Sequence, residues 1–462
     1  MRNFKDIVKR PSAIGVMVGM ILIALSLTPS LIPRTWVQQA IISALTFVFG
    51  YGIGVAAYAV WRYLELPSFP EKQQRRATRI GFALVGLVLI LFMFQALGWQ
   101  NNVRETVGLE PVDSTHSLRA VLLALIISAV LILFFRLLWW IAAATMRFIT
   151  RYIPHRYGKV IGAVVGIVLA ITLLNRVLLD TIVDAMNASY ALTDSGTDEN
   201  VNPPTSALRS GSPESLIAWE TLGKQGRRFV GTGPTRDEIA AVWDDEAVME
   251  PIRIYVGDKS AETLAERAEL ALDEMIRTGA FERDKLLLVT STGNGWVDSN
   301  AIDTFEYMHG GDTAVVAFQY SYLPSAIAIV ADKDAATDAS LAMFNTVHYY
   351  WQALDEDKRP DFFLHGLSLG AYGSQAAVSS VSQFNEPVHG ALWAGPPFVS
   401  HFWQQITAAR DEGTPVWKPT YQDGDTIRFT NMGEGLDENM ESWQGNRFIY
   451  LQQAGDPIVF FT

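Results

Sequence analysis

FFLHGLSLGAYGSQAAVSSV, residues 362–381, passes from a short apolar run through a serine bracketed by glycines into a run of small residues. Phe362–His365 reads as a strand and Ala371–Val381 as a helix, with Gly366-Leu367-Ser368-Leu369-Gly370 between them. A Gly-x-Ser-x-Gly pattern alone carries little weight, because glycine and serine are common. A strand before it, a helix after it and small flanking residues are what a nucleophile elbow needs, since the backbone must reverse sharply to lift the serine hydroxyl above the sheet. Ser368 is therefore the candidate nucleophile. The backbone N–H of Leu369 is the candidate first donor to an oxyanion. The competing reading is an ordinary glycine-rich turn with a buried serine.

Working outward, strand and helix patterns alternate. Ile252–Val256, Lys285–Thr290, Thr313–Phe318, Val388–Ala394 and Arg447–Gln452 read as strands. Glu262–Arg277 and Ala335–Leu354 carry apolar residues at helical spacing. Such alternation predicts an α/β domain with a mostly parallel sheet covered on both faces. The turn after Lys285–Thr290 holds Thr292 and Gly293, whose backbone N–H groups are the candidates for the second oxyanion donor. Asp456, ahead of Pro457 and behind the last strand, suits the acid that orients a catalytic imidazole. Glu434 and Asp437 are its alternatives. In this fold the histidine follows the acid in the chain, yet none of the six residues after Asp456 is histidine. Of the seven histidines, at 116, 155, 309, 348, 365, 389 and 401, His401 follows a strand and is the substitute base. The expectation is a C-terminally incomplete hydrolase domain, or one without a base and nearly inactive as written.

The composition divides the chain. Hydrophobic residues make up 49% and charged residues 18%, below the roughly 25% charge of a soluble domain. Residues 1–190 hold 18 Lys and Arg against 8 Asp and Glu, net +10, whereas residues 191–462 hold 18 against 40, net −22. Five apolar runs, Ala13–Ile32, Val37–Trp61, Ile80–Trp99, Leu118–Ala143 and Val160–Val183, approach or exceed the roughly 20 residues that cross a bilayer as a helix. The loops holding Arg62, Lys72, Arg75, Arg76 and Arg79, and Arg147, Arg151, Arg156 and Lys159, lie on the same side as the basic N-terminus, which reads as cytoplasmic. An odd number of spans then puts the acidic part outside. The expected organisation is a multi-span domain over 1–190, a polar linker over 191–213 and a hydrolase-like domain over 214–462 with its core at 251–462. Within the spans, Arg136 is expected to reach the interface, Arg176 to pair with Asp180, and Gly50, Gly52 and Gly54 to serve close helix packing.

Several classes fall away. The chain has no cysteine, which removes disulfides, thiolate metal sites and cysteine nucleophiles. The acidic half is a poor match for nucleic acid, which is bound through Lys and Arg. No metal or organic cofactor is expected, since a Ser–His pair needs none. The expected partners are the lipid bilayer and an ester- or acyl-bearing envelope lipid as substrate.

SLTPSLIPR (26–34), PIRIYVG (251–257), RAELALDEMIRTGAFER (267–283), TSTGNGWVD (290–298), FQYSYLPS (318–325) and HGLSLGAYGS (365–374) together resemble an actinobacterial membrane-anchored α/β-hydrolase family. The resemblance implies a multi-span N-terminal domain and a C-terminal catalytic domain, with the family nucleophile on Ser368 and its acid on Asp456. It also implies a histidine-containing segment beyond the last residue here. The activity implied is that of a membrane-anchored serine hydrolase or acyltransferase facing outward. The alternative is a hydrolase-fold scaffold protein without turnover.

Overall fold

A computed structural model describes residues 11–149 apart from 30–33, 68–69 and 107–109, isolated positions between 150 and 189, and residues 190–460 apart from 192–193, 246, 333, 382–387, 432–435, 437–442 and 444. The chain divides into two compact units, 1–180 and 181–462.

The first unit contains helices α1 (Ala13–Ser26), α2 (Trp36–Tyr63), α3 (Glu71–Thr106) and α4 (Ser117–Ile149). Among the described residues, Trp36–Tyr63, Glu71–Glu105 and Ser117–Ile141 are long and apolar enough to cross a membrane. The first apolar run forms a helix of 14 residues, about 21 Å long and so short of a hydrocarbon core of roughly 30 Å. The fifth run, and with it Arg176 and Asp180, lies outside the described residues. Close packing of α1 on α2 rests on glycines four apart. A side chain at Gly54 would lie 2.7 Å from Gly15 Cα, and one at Gly50 would lie 3.0 Å from Gly19 Cα. Gly52 meets nothing within 4 Å, because two residues along a helix turn it off the shared face. Packing therefore explains Gly50 and Gly54 but not Gly52. Buried polar groups beside this seam are bonded to one another: Gln39 Nε2 donates to Ser43 Oγ and to the Ser26 carbonyl, each at 3.0 Å.

The second unit is built on a seven-stranded sheet: β1 (Ile252–Val256), β2 (Lys285–Thr290), β3 (Thr313–Phe318), β4 (Asp361–Leu367), β5 (Gly390–Ala394), β6 (Ile427–Thr430) and β7 (Arg447–Leu451). Its order is β1-β3-β2-β4-β5-β7-β6, and every pairing is parallel. Helices α5 (Gly223–Gly231) and α6 (Arg236–Trp243) precede β1, and the crossovers that parallel neighbours need run through α7 (Leu264–Thr278), α8 (Ser299–Met308), α9 (Ser325–Ala331), α10 (Ala335–Gln352), α11 (Leu369–Val381) and α12 (His401–Ala408). The strands are buried on both faces and read as near-continuous apolar runs, as parallel strands do. Alternate residues of β4 show the two layers: Phe362 stacks on Phe344 of α10, and Phe363 meets Phe305 of α8 edge-on. β6 has no counterpart in the sequence reading, since four residues give too short a run to carry a period.

Two further features join sequence segments to this sheet. Residues 208–210, within the stretch read as a polar linker, lie against β1: Ser210 N–H donates to the Arg253 carbonyl and Arg253 N–H to that of Leu208. The Arg253 side chain, fully buried, is held by both carboxylate oxygens of Glu306 on α8, at 2.8 and 2.6 Å, and by Asp303.

Candidate active site

The chain leaves β2 toward β3 on one side and leaves β4 toward β5 on the other. Ligands of open α/β sheets gather beyond the carboxyl ends of strands at such a switch point. The two segments that emerge there are the turn after β2 and the residue after β4. The latter is Ser368.

Ser368 has φ +54°, a left-handed conformation that costs a non-glycine residue of order 1–3 kcal/mol and persists only where its surroundings over-determine it. They do so here. Ser368 N–H donates to the Ala394 carbonyl of β5 at 2.8 Å, and its own carbonyl accepts Tyr372 N–H at 3.1 Å in the first turn of α11. The flanking glycines permit the turn. A side chain at Gly366 would lie 2.4 Å from Gly370, and one at Gly370 would lie 2.3 Å from the Thr290 carbonyl at the end of β2. Ser368 is half-buried. Leu369 opens α11, where a first-turn N–H has no intrahelical acceptor.

The turn after β2 touches this elbow, because Thr290 and Ser291 are the backbone neighbours of Gly370. Within it, Thr292 N–H donates to the Trp296 carbonyl at 2.9 Å and Gly295 N–H to the Thr292 carbonyl at 2.9 Å. Asn294 Oδ1 accepts from Thr292 Oγ1 at 3.0 Å. Gly293 N–H donates to Ser325 Oγ at 3.1 Å. A side chain at Gly293 would lie 2.7 Å from the Leu323 carbonyl. So the Thr292 N–H closes the turn on itself, and the Gly293 N–H faces a hydroxyl it can exchange for another acceptor. Sequence reasoning did not single out Ser325. Its signal was Pro324-Ser325 just beyond β3, but nothing in the chain order says that this loop meets the one after β2.

Asp456 follows β7 at the same edge. Its Oδ1 accepts Ile458 N–H at 2.8 Å. Its Oδ2 lies 3.5 Å from where a side chain on Gly395 would begin, and Gly395 follows Ala394, the acceptor of Ser368 N–H. Glu434 and Asp437 lie outside the described residues, as does His155.

The histidines separate by edge. His389 precedes β5 and sits at the opposite, amino-terminal edge, bonded to Phe362 N–H at 2.9 Å and to Asp361 at 3.2 Å. His309 lies on that edge too, four residues before β3. His365 is buried in β4 with Nδ1 2.8 Å from the Leu392 carbonyl, and burial pushes its pKa below the ordinary 6.5. His348 is buried on α10, stacked on Phe344. His401 opens α12 on the Ser368 side of the sheet, three residues after Phe398, whose N–H donates to the Ile458 carbonyl at 2.8 Å. Among the described residues no hydrogen bond or ion pair joins His401 to Ser368 or Asp456. Nor do three or more His, Asp or Glu gather there as metal ligands would.

Residues 252–462 match the family described as Alpha/beta-hydrolase family, and residues 27–234 match that described as Alpha/beta-hydrolase family N-terminus. No curated protein and no solved structure matches the chain. With an apolar helical unit followed along the chain by a parallel seven-stranded α/β unit, and both parts matched in order, the chain belongs to the alpha/beta-hydrolase family.

Proposed function

We propose that the protein is a membrane-anchored serine hydrolase or acyltransferase whose nucleophile is Ser368. The observation that carries this is the positive φ of Ser368 between β4 and α11, a strained turn that serves to present a hydroxyl. In the proposed reaction Ser368 Oγ attacks the acyl carbon of an ester while a base takes its proton. The carbonyl oxygen becomes an oxyanion held by Leu369 N–H and by Gly293 N–H, which leaves Ser325 Oγ to reach it. Collapse of the intermediate expels the alcohol, which takes the proton back from the base. Water, or a second alcohol in acyl transfer, then releases the acyl group from Ser368. The Thr292 N–H takes part only if its bond to Trp296 opens. Asp456 orients the imidazole, and His401 is the described histidine on this edge.

The proposed setting is a multi-pass cell-membrane protein with its N-terminus cytoplasmic and the hydrolase unit outside, as the Lys/Arg-rich loops favour. An acyl-bearing envelope lipid is the substrate class that suits such an anchor. One observation favours a second reading, a scaffold without turnover: among the described residues no imidazole is hydrogen-bonded to Ser368.

The test is labelling of the full chain with a fluorophosphonate, a probe that phosphonylates an activated serine. Wild type should be labelled, and Ser368→Ala should not. Ser374→Ala is a poor control, because Ser374 Oγ accepts the buried Trp393 Nε1–H at 3.0 Å. Thr232→Ala, at an exposed hydroxyl, serves instead. Unlabelled, folded wild type would favour the scaffold. Labelling that survives Ser368→Ala would end the elbow assignment. Loss of labelling in His401→Ala, with unchanged melting, would assign the base.

A further inference from the structure

The first unit carries a cavity of about 1070 Å³ at the end where α1 and α3 begin and α2 finishes. Polar groups in its lining come from Ser12 ahead of α1, Tyr51 and Arg62 of α2, Gln74 and Thr78 of α3, and Arg136 of α4. Arg136 stands 19 residues beyond the start of α4, about 29 Å along the helix axis. That is nearly a hydrocarbon thickness from the other end, so Arg136 and Arg62 belong to the same membrane face. The basic first turns of α3, with Lys72, Arg75, Arg76 and Arg79, stand at the same end.

Arg136 is bonded into the wall of the cavity, while Arg62 lines it as an exposed side chain. Arg136 Nη2 donates to Tyr51 Oη at 2.9 Å, and Tyr51 Oη accepts Ser12 N–H at 3.3 Å. Glu65 also lines the cavity, leaving the lining with two cations and one carboxylate. Part of the lining is apolar, with Met17, Val55 and Trp61. Val55 and Trp61 are exposed on the helix surface as well, at 39% and 48%, so the apolar wall opens sideways to where acyl chains lie.

We propose that this cavity binds one anionic phospholipid of the adjoining leaflet, its headgroup phosphate between Arg62 and Arg136 and its acyl chains along Met17, Val55 and Trp61. Guanidinium groups match phosphate oxygens with paired N–H donors. Basic pockets between membrane helices are where such headgroups settle. A free phosphate would leave the apolar wall uncovered. A zwitterionic lipid brings an ammonium that weakens the same attraction. The proposal rests on the helices crossing a bilayer and is independent of the hydrolase reading.

The full chain, purified in detergent, is delipidated and exposed to mixed micelles of phosphatidylglycerol and phosphatidylcholine, and retained lipid is counted by native mass spectrometry. Wild type should keep about one phosphatidylglycerol per chain, with roughly tenfold preference over phosphatidylcholine. Arg62→Gln with Arg136→Gln should bring that preference close to one. Arg62→Gln alone, at an exposed side chain, should lower it severalfold and leave the melting temperature unchanged, which keeps the test open if the double variant does not fold. Arg75→Gln, on the outer surface of α3 and paired with Glu71, should change nothing. Equal retention of the two lipids by wild type would overturn the proposal, as would undiminished preference in folded Arg62→Gln. Displacement of the lipid by 10 mM inorganic phosphate alone would make the cavity a plain anion site and end the lipid assignment.

Discussion

Gly370→Ala sets two physical effects of opposite sign against each other. Gly370 is the second residue of α11 and has an ordinary helical φ, so helix propensity favours alanine there by about 1 kcal/mol. The added Cβ, however, would lie 2.3 Å from the Thr290 carbonyl and 2.9 Å from that of Ser291, where ordinary contact begins at 3.4 Å. Both obstacles are backbone carbonyls, at the end of β2 and in the turn that follows it, so no rotamer change relieves them. The start of α11 must retreat by about 1 Å, an overpacking cost of about 1–3 kcal/mol. The clash should outweigh propensity, for a net loss of up to about 2 kcal/mol and a fall in melting temperature of up to about 8 °C. The retreat also moves the Leu369 N–H and the Ser368 hydroxyl away from the turn after β2. Misplacement on that scale should slow fluorophosphonate labelling by about 10²-fold. Differential scanning fluorimetry and a labelling time course on the detergent-solubilised chain measure both. Gly455→Ala, where nothing lies within 4 Å, is the control for stability and should stay within about 0.5 kcal/mol. Unchanged or raised melting in Gly370→Ala, with labelling intact, would refute the contact between the elbow and β2.

Ser368→Gly should stabilise the fold by about 1 kcal/mol while abolishing labelling, because glycine holds φ +54° without strain; Ser368→Ala should lose labelling without that gain, and equal melting of the two would argue against strain. Glu306→Gln should cost about 3–5 kcal/mol by chemical denaturation, since it leaves the fully buried Arg253 with only the part-exposed Asp303 as counter-charge; a loss below about 1 kcal/mol would mean that Asp303 suffices. Glu274 is buried, which alone would raise its pKa, but bonds from Arg277, Ser215 and the Leu216 N–H hold it below the usual 4.5. A depressed folded pKa contributes stability that is present above the unfolded pKa and lost as pH falls through the folded one. Glu274→Gln should therefore melt lower than wild type at pH 7, and the difference should shrink steadily below pH 4.5; a gap that stays constant with pH would refute the charge argument.

The residue order determined much of this protein. Strand runs such as Lys285–Thr290 and Thr313–Phe318 appear in the structure with the same ends, because fully buried parallel strands leave an apolar run bounded by polar turns. The strand–turn–helix around Ser368 was legible because its three conditions are local: apolar run, glycines, small helical residues. The long apolar helices were legible for the same reason, since membrane length is a property of one segment. Tertiary structure decided what depends on contacts between segments. Order β1-β3-β2-β4 cannot be read from a chain that names the strands only in sequence, yet it is what brings the turn after β2 against Gly370. The pairing of Gly293 with Ser325, the sorting of the histidines to opposite sheet edges, and the bonding of residues 208–210 to β1 follow from the same pairing. Gly50 and Gly54 were separable from Gly52 only once α1 lay against α2, because a helix face becomes a packing face only when another helix occupies it.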